Sequence, residues 1–317
     1  MNWQPAATLD MLRRRAGLLR HVRHFFEVRS VLEVETPLLC SSGITDPAIE
    51  PLRVGSGQSI SSPRFLQTSP EYAMKRLLVA GSGPIYQVTK AFRDGEAGSR
   101  HNPEFTLLEW YRPGMDHHQL MREVAELVRS YLGPLPVQHY AYRDLFQQEL
   151  GVDPFRVEVD ELETLARAEL DVGTLRGDCD LWLDLLMSHL IEPRLAGRGL
   201  CFIYDYPESQ AALSRVSKVA GLSVGHRFEL YVHGLELANG YWELCDVREQ
   251  RRRFIADNRR RKAAGLNEQP LDERLLAALA AGMPDCAGVA LGLDRLLMLG
   301  TGSEDIRQVL AFDWSRS

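Results

Sequence analysis

Two pairs of strand-like segments constrain the fold of this chain more than any other feature. The pairs are IYQVTKAFR (85–93) with EFTLLEWYR (104–112), and RFELYV (227–232) with LELANGYWEL (235–244). A polar link joins the first pair, and His233-Gly234 stands at the position of a tight turn in the second. Each pair predicts an antiparallel hairpin, and the predicted helices lie in separate runs. The chain is therefore predicted to have an α+β fold rather than a repeated βαβ architecture.

Helices are predicted where apolar residues recur every three to four positions. These segments are residues 9–30, 70–79, 115–132, 158–200, 246–264 and 271–281. VLEVETPLL (31–39) alternates like a strand. The C-terminal part predicts a strand, AGVALGLD, followed by a helix, RLLMLGTG.

The composition excludes several classes of protein. Of the 317 residues, 45% are hydrophobic and 25% are charged, as in a globular protein that buries a core. The N-terminal segment lacks the apolar stretch of a signal peptide, and no apolar run is long enough to cross a bilayer. The net charge of −6 argues against a general nucleic-acid-binding protein. Five scattered cysteines without a CxxC pair favour reduced thiols and therefore a cytoplasmic location. We expect no membrane partner.

The segment 104–112 would present several chemically useful side chains on one face. Because side chains alternate along a strand, Phe105, Glu109 and Tyr111 share this face. An aromatic ring can stack on a nucleotide base, and a carboxylate can hold an ammonium group. Arg93 ends the neighbouring strand, and its guanidinium suits a phosphate because it donates two parallel hydrogen bonds. The same alternation is also typical of an ordinary half-buried strand.

The second hairpin brings two carboxylates together. With a two-residue turn, Tyr231 lies opposite Glu236, so that Glu229 and Glu236 share one face. Two like charges at this spacing are unfavourable without a cation between them, and carboxylate oxygens suit Mg²⁺ with ATP phosphates. A solvated face on which the two side chains point apart is the alternative.

Two further segments carry candidate binding residues. Asn239, Tyr241 and Glu243 share a face of a regular strand, where they could supply an amide and a second carboxylate to a pocket. GLDR places Arg295 at the start of a helix, where the helix N-terminus attracts anions. An arginine in a first helical turn is commonplace, so this segment alone is weak support.

Together these segments resemble the three motifs of the class II aminoacyl-tRNA synthetases. VETPLL, FRDGEAGSRHNPEFTLLEWY and GVALGLDRLLML are similar to the first, second and third motifs, in that order. SPEYAMKRLL, RHNPEFT, LELANGYWEL and GLDR resemble lysyl-tRNA synthetases in particular. The resemblance covers residues 9–314. It implies a single catalytic domain over residues 1–317, with an antiparallel sheet flanked by helices and a mainly helical insertion at about 133–200.

The absence of one expected segment narrows the resemblance. An anticodon-binding barrel precedes the catalytic domain of lysyl-tRNA synthetases, whereas here the first-motif helix begins almost at Met1. The chain therefore resembles the stand-alone paralogues, the elongation factor P–(R)-β-lysine ligase family, as does its YRPGMD segment. This implies that ATP and Mg²⁺ are used to activate (R)-β-lysine, and less well α-lysine, as an acyl-adenylate. A lysine side chain of elongation factor P would be the acceptor, tRNA would not be a partner, and the enzyme would be a homodimer.

The resemblance also implies a role for each motif residue. Arg93 and Arg295 would be the catalytic residues, with Arg93 contacting the α-phosphate and the substrate carboxylate. ATP would be bound by Arg93, Glu96, His101, Asn102, Phe105, Glu236 and Arg295. The amino acid would be bound by Glu71, Glu109, Tyr111, Ala238, Asn239 and Glu243. Glu229 and Glu236 would be the Mg²⁺ ligands.

Two positions depart from the family pattern. The second motif normally has Glu two residues after its arginine, in contact with adenine, whereas this chain has Gly95 there and Glu96 next. Glu96 would then recognise adenine from a shifted position. Ala238 stands where lysyl-tRNA synthetases have Gly before the matching Asn. We hypothesise that its methyl group helps to select β-lysine over α-lysine, by about 1–3 kcal/mol.

Three alternative functions share parts of this pattern. A truncated synthetase would charge tRNA, although the missing barrel and the acidic net charge argue against it. Ammonia-dependent asparagine synthetase uses the same core, but a substrate carboxylate would need a basic pocket rather than Glu109 and Glu243. A non-catalytic regulatory paralogue is opposed by the presence of the catalytic set Arg93, Glu229, Glu236 and Arg295, and Gly95 is the one observation in its favour. An acidic acceptor protein would dock on the arginine-rich segment 248–262.

Overall fold

The computed structural model describes residues 3–55 and 62–317. The α-helices are Leu9–Glu27 (α1), Glu71–Val79 (α2), His117–Leu132 (α3), Tyr142–Leu150 (α4), Val159–Glu169 (α5), Cys179–Leu186 (α6), Glu192–Arg194 (α7), Val247–Ala263 (α8), Glu273–Gly282 (α9) and Leu293–Thr301 (α10). The strands are Leu32–Glu33 (β1), Leu39–Cys40 (β2), Arg53–Val54 (β3), Arg64–Leu66 (β4), Ile85–Phe92 (β5), Glu104–Pro113 (β6), Val137–Ala141 (β7), Leu200–Pro207 (β8), Val216–Val219 (β9), Leu222–Val232 (β10), Leu235–Trp242 (β11) and Cys286–Gly292 (β12). None of the helices in these two ranges is long and apolar enough to cross a membrane.

A mixed sheet forms the centre of the molecule. Within the described residues it contains nine strands in the order β1-β5-β6-β12-β11-β10-β8-β7, with β9 paired to β10. The central pairs are antiparallel, whereas β1 with β5 and β7 with β8 are parallel at the two edges. Both predicted hairpins are confirmed, because β5 pairs with β6 and β10 pairs with β11 in antiparallel register. The α+β class is therefore confirmed, although the sheet is mixed rather than purely antiparallel.

The two faces of the central strands bury different kinds of side chain. On one face, Leu108, Trp110, Phe228 and Leu230 pack with α1, α3 and α10 into the main hydrophobic core. Residues that alternate with them, such as Glu109, point to the opposite face. The period-two pattern of the strands thus separates a dry core from a polar cleft.

A second core lies under the segment between β7 and β8. Phe146, Trp182 and Leu186 are completely buried there. Strand β8 serves both cores, because Phe202 packs in the main core while Ile203 packs in the second. The helices predicted over 158–200 are interrupted, since α5 ends at Glu169 and α6 begins at Cys179.

The helix predictions hold where a capping residue marks the boundary. Thr8, Asp116, Asp246 and Asp272 each accept a hydrogen bond from a backbone N–H in the first turn of α1, α3, α8 and α9. Pro70 precedes α2, as predicted. The strand predicted in the segment 31–39, with its end at Pro37, is confirmed only in part, because the paired residues of β1 are Leu32 and Glu33 and β2 begins at Leu39.

Candidate active site

Three carboxylates lie on the sheet face opposite the main core, in what we call the acidic pocket (Glu71, Glu109 and Glu243). Glu109 projects from β6, and Glu243 follows β11; both side chains are almost completely buried. Glu71 opens α2. The oxygens of Glu109 accept hydrogen bonds of 2.7 Å each from Ser69 Oγ and Tyr111 Oη. These two hydroxyls fix the orientation of the carboxylate.

One buried lysine stands among these carboxylates. Lys75 Nζ lies 2.6 Å from Glu71 Oε1 and 2.6 Å from Glu243 Oε2, and its side chain is only 1% exposed. Burial alone would lower the pKa of Lys75, but the carboxylates of Glu243 and Glu71 raise it, so the ammonium form persists. When all three carboxylates are ionised, the pocket carries a net charge of about −2, which two further ammonium groups would neutralise.

Glu109 and Glu243 are more difficult to ionise than ordinary carboxyl groups. Burial, reinforced by the charge of Glu71, raises the pKa of Glu109 to about 8. Burial also raises the pKa of Glu243 to about 7, although Lys75 opposes the shift. These two side chains therefore retain protons near neutral pH, and a cation entering the pocket would displace them.

Arginine side chains line the neighbouring part of the cleft. The Arg93 guanidinium lies 5.1 Å from the centre of the Phe105 ring and 3.5 Å from Glu96 Oε1. Arg93 Nε is buried without a hydrogen-bond partner among the described residues. Arg295 Nη1 donates to the Glu236 carbonyl at 2.7 Å, and Nη2 lies 2.7 Å from His101 Nε2. This row of donors suits the oxygens of a polyphosphate.

The loop between β5 and β6 explains why this chain has Gly95 where the second motif normally has glutamate. Its φ of +77° lies in the left-handed region that favours glycine, so a glutamate at this position would be strained. Glu96 takes the place beside Arg93 instead. Asn102 donates to the Glu104 carbonyl at 2.6 Å and accepts from the Trp314 amide at 2.9 Å. Asn102 therefore ties the loop to the C-terminal segment, and its contact with ATP stays a prediction.

The predicted pair of metal-binding carboxylates lies where the hairpin argument places it. Tyr231 pairs with Glu236 in β11, as predicted. Glu229 accepts hydrogen bonds from Tyr206 Oη at 2.7 Å and Tyr231 Oη at 2.5 Å, and it also pairs with Arg227. Burial and the charge of Glu229 raise the pKa of Glu236.

The donors around this pair fit a hard divalent cation. Asn239 Nδ2 lies 3.2 Å from Glu229, while Asn239 Oδ1 is buried and has no hydrogen-bond partner in the described part of the chain. Burial, together with the charges of Glu236 and Glu229, also raises the pKa of Glu192 to about 7. Several oxygen atoms close together are the ligands that Mg²⁺ prefers.

The structure places Ala238 elsewhere than expected. Ala238 pairs with Leu230 and Leu291 and lies in the main hydrophobic core, on the face opposite the acidic pocket. Its methyl group therefore does not line the pocket. Ala290 in β12 pairs with Asn239 on one side and with Glu109 on the other, so it is the alanine on the pocket face.

Two other residues of the site were not predicted from the sequence. Lys75 lies four residues after Glu71 on a helix, and this spacing was a usable signal for their contact. A Cβ on Gly288 would lie 2.3 Å from the Tyr111 ring and 2.6 Å from Glu243 Oε1. Only glycine allows these two side chains to approach β12 closely.

Comparison with known proteins agrees with this geometry. The family model described as tRNA synthetases class II (D, K and N) matches residues 2–316. The elongation factor P–(R)-β-lysine ligase of Pseudoalteromonas translucida (strain TAC 125) is 46% identical over 324 residues, covering 99% of this chain and 98% of that protein. A protein of the same name from Salmonella paratyphi B (strain ATCC BAA-1250 / SPB7) is 46% identical over 321 residues, with the same coverage.

Proposed function

The chain belongs to the class II tRNA synthetases (D, K and N), and from this premise we propose that it is an ATP-dependent ligase that acts on elongation factor P. The amino acid that it activates is (R)-β-lysine, with α-lysine as a poorer substrate. The observation that carries the proposal is the acidic pocket, because its charge complements an amino acid with two ammonium groups. The names of the relatives supply the acceptor.

The first half of the reaction joins the amino acid to AMP. A carboxylate oxygen of the amino acid attacks the α-phosphorus of ATP, and pyrophosphate leaves. Both reactants are anionic, so Arg93 is positioned to hold the carboxylate and the α-phosphate together while their charges repel. Arg295 and His101 hold the distal phosphates, and Phe105 stacks on adenine. Glu229 and Glu236 would hold Mg²⁺, which neutralises phosphate charge when bound.

The acidic pocket positions the substrate for this attack. Glu71 holds the amine nearer the carboxylate, and Glu109, Tyr111 and Glu243 receive the distal ammonium group. Asn239 orients the carboxylate. In the second half of the reaction, an uncharged lysine amine of elongation factor P attacks the acyl carbon, and AMP leaves. No side chain of the enzyme has to act as a nucleophile, because both steps are direct displacements.

We propose the outer edge of α8 as the docking surface for an acidic acceptor. Arg252 is largely exposed on this helix. Arg261, in the same segment, is completely buried and pairs with Glu50, so it supports the fold instead. A homodimer that acts without tRNA is part of the same proposal and rests on the family resemblance.

Intact-mass spectrometry tests the proposed function. Elongation factor P and tRNA(Lys) are incubated separately with the enzyme, ATP, Mg²⁺ and either α- or β-lysine. We expect a mass increase on the protein that is larger with β-lysine. Acylation of the tRNA with the protein unmodified would show a truncated synthetase instead. Absence of ATP–pyrophosphate exchange with every lysine-like substrate would show a non-catalytic paralogue.

A further inference from the structure

A second polar cluster lies on the face of the sheet opposite the acidic pocket. His117 is the first residue of α3, Asp205 lies in β8, and His226 lies in β10. Both histidine rings contact Trp242, which points away from the face of Glu243. Among the residues that the structure describes, these three form the group whose donor atoms all lie within 4.8 Å of one another.

The spacing of these donors matches a tetrahedral metal site. Asp205 Oδ1 lies 3.5 Å from His117 Nε2 and 3.4 Å from His226 Nδ1. Bonds of about 2.0–2.1 Å from Zn²⁺ to nitrogen and oxygen ligands place tetrahedral neighbours about 3.3–3.4 Å apart. Two of the three donor pairs thus have the spacing that a zinc ion requires, and the third pair lies within 4.8 Å.

The donor atoms are also unsatisfied. Both ring nitrogens of His117, Nδ1 of His226 and Oδ1 of Asp205 are buried, and none has a hydrogen-bond partner in residues 3–55 and 62–317. Buried polar atoms are nearly always hydrogen-bonded or bound to an ion. Three of these atoms, one from each residue, face one another and indicate a ligand that satisfies them together.

The surrounding structure orients the cluster. Ser217 Oγ lies 2.7 Å from Nε2 of His226, which leaves Nδ1 of that ring directed at Asp205. Metal-bound histidines generally use their second nitrogen in this way. The pairing of β10 with β8 shifts register between Gly225 and Phe228, opposite Asp205, whose φ is +59°. This bulge brings the carboxylate and the His226 ring to the same point.

We propose that His117, Asp205 and His226 bind one Zn²⁺ ion. A water molecule would complete the tetrahedral coordination of the ion. The ion links the start of α3 to β8 and to the bulge of β10. Arg227, the neighbour of His226, holds Glu229 in the active site, so the ion would stabilise the backbone that carries this arginine.

Metal binding to the full chain tests the proposal. Protein stripped with a chelator is dialysed against Zn²⁺, and bound zinc is measured by plasma mass spectrometry. We expect one zinc per chain, and a visible absorption spectrum of tetrahedral Co²⁺ when cobalt replaces zinc. Asp205→Asn should bind zinc at least about 100-fold more weakly. The variant should still fold, because asparagine tolerates the left-handed conformation. His118→Gln is the matched control and should retain the metal.

Two results would overturn the proposal. The first is wild-type protein that binds no zinc and whose melting temperature is unchanged by zinc. The second is equal zinc binding by Asp205→Asn and His118→Gln, which would place any bound metal elsewhere. Circular dichroism of each variant without metal shows whether a loss of binding reflects a loss of fold.

Discussion

Binding of the amino acid to the acidic pocket should release protons from the enzyme. Burial raises the pKa of Glu109 to about 8 and that of Glu243 to about 7. An ammonium group beside either carboxylate stabilises its ionised form. The substrate therefore binds best to a pocket that has lost protons, and its affinity should rise with pH.

The size of the effect follows from the two pKa values. With a pKa of about 8, only about 10% of Glu109 is ionised at pH 7 and about 1% at pH 6. A substrate that requires the ionised form would thus bind about 10-fold more weakly for each pH unit below 7. Glu243 makes the dependence steeper below its own pKa. At pH 7, binding should release more than one proton, about 0.9 from Glu109 and about 0.5 from Glu243.

Isothermal titration calorimetry of β-lysine binding measures these quantities directly. Titrations at pH 6, 7 and 8, in buffers with different ionisation enthalpies, give both the affinity and the number of protons released. Glu109→Gln should reduce the slope of log affinity against pH by about one and should lower proton release at pH 7. His118→Gln provides a control that leaves the pocket intact.

The stability of the free enzyme offers an independent check, because its contribution from Glu109 should fall with rising pH, whereas substrate affinity should increase. The folded-state pKa of Glu109 is above its unfolded value, so the folded protein binds the extra proton. Its contribution to the free energy of unfolding is present below the unfolded pKa and is lost as pH rises through about 8. Affinity that is constant from pH 6 to pH 8, together with no proton release, would refute this account of the pocket.

Three further predictions concern single side chains. Arg93→Ala should reduce the rate of ATP–pyrophosphate exchange by about 10²–10³-fold with an unchanged circular dichroism spectrum, because the guanidinium stabilises charge in the transition state; an unaltered rate would exclude that role. Ala290→Gly should change the ratio of β-lysine to α-lysine activation by about 10-fold or more, because Ala290 lies on the pocket face. Ala238→Gly should leave this ratio unchanged and lower the stability of the protein; a changed ratio in Ala238→Gly and an unchanged one in Ala290→Gly would contradict the assignment of faces. Arg261→Ala should lower the free energy of unfolding in urea by about 3–5 kcal/mol, because it leaves the acceptors of this buried guanidinium unpaired. Arg259→Ala is the control, and equal stability of the two variants would show that the contacts of Arg261 contribute nothing.

Local patterns were sufficient to predict much of the site. Alternation along β6 placed Glu109 and Tyr111 together, and their hydrogen bond follows from that face. The two-residue turn at His233-Gly234 fixed the register of Tyr231 with Glu236. In both cases one turn or one strand determines the result, so no distant part of the chain is needed.

Predictions that depend on distant partners could not be made in the same way. The pairing of β10 with β11 shifts register between Leu230 and Tyr231, so Glu229 pairs with Asn239 and Ala238 turns to the core. Alternation along β11 does not show this bulge, and this was the error at Ala238. Lys75 meets Glu243 only because α2 packs beside the end of β11. The segment 31–39 has the alternation of a strand but lacks a neighbour that would pair along its full length. All three results depend on how separate segments pair and pack in the folded protein.

Strand β8 limits how this protein can unfold locally. Because Phe202 and Ile203 anchor two different cores, the segment between β7 and β8 cannot detach without stripping side chains from the central sheet. Tyr231, which donates to Glu229, belongs to the second core as well. We expect the amides of β8 and β10 to exchange with deuterium together, at the rate of global unfolding, rather than as a separate fraying unit.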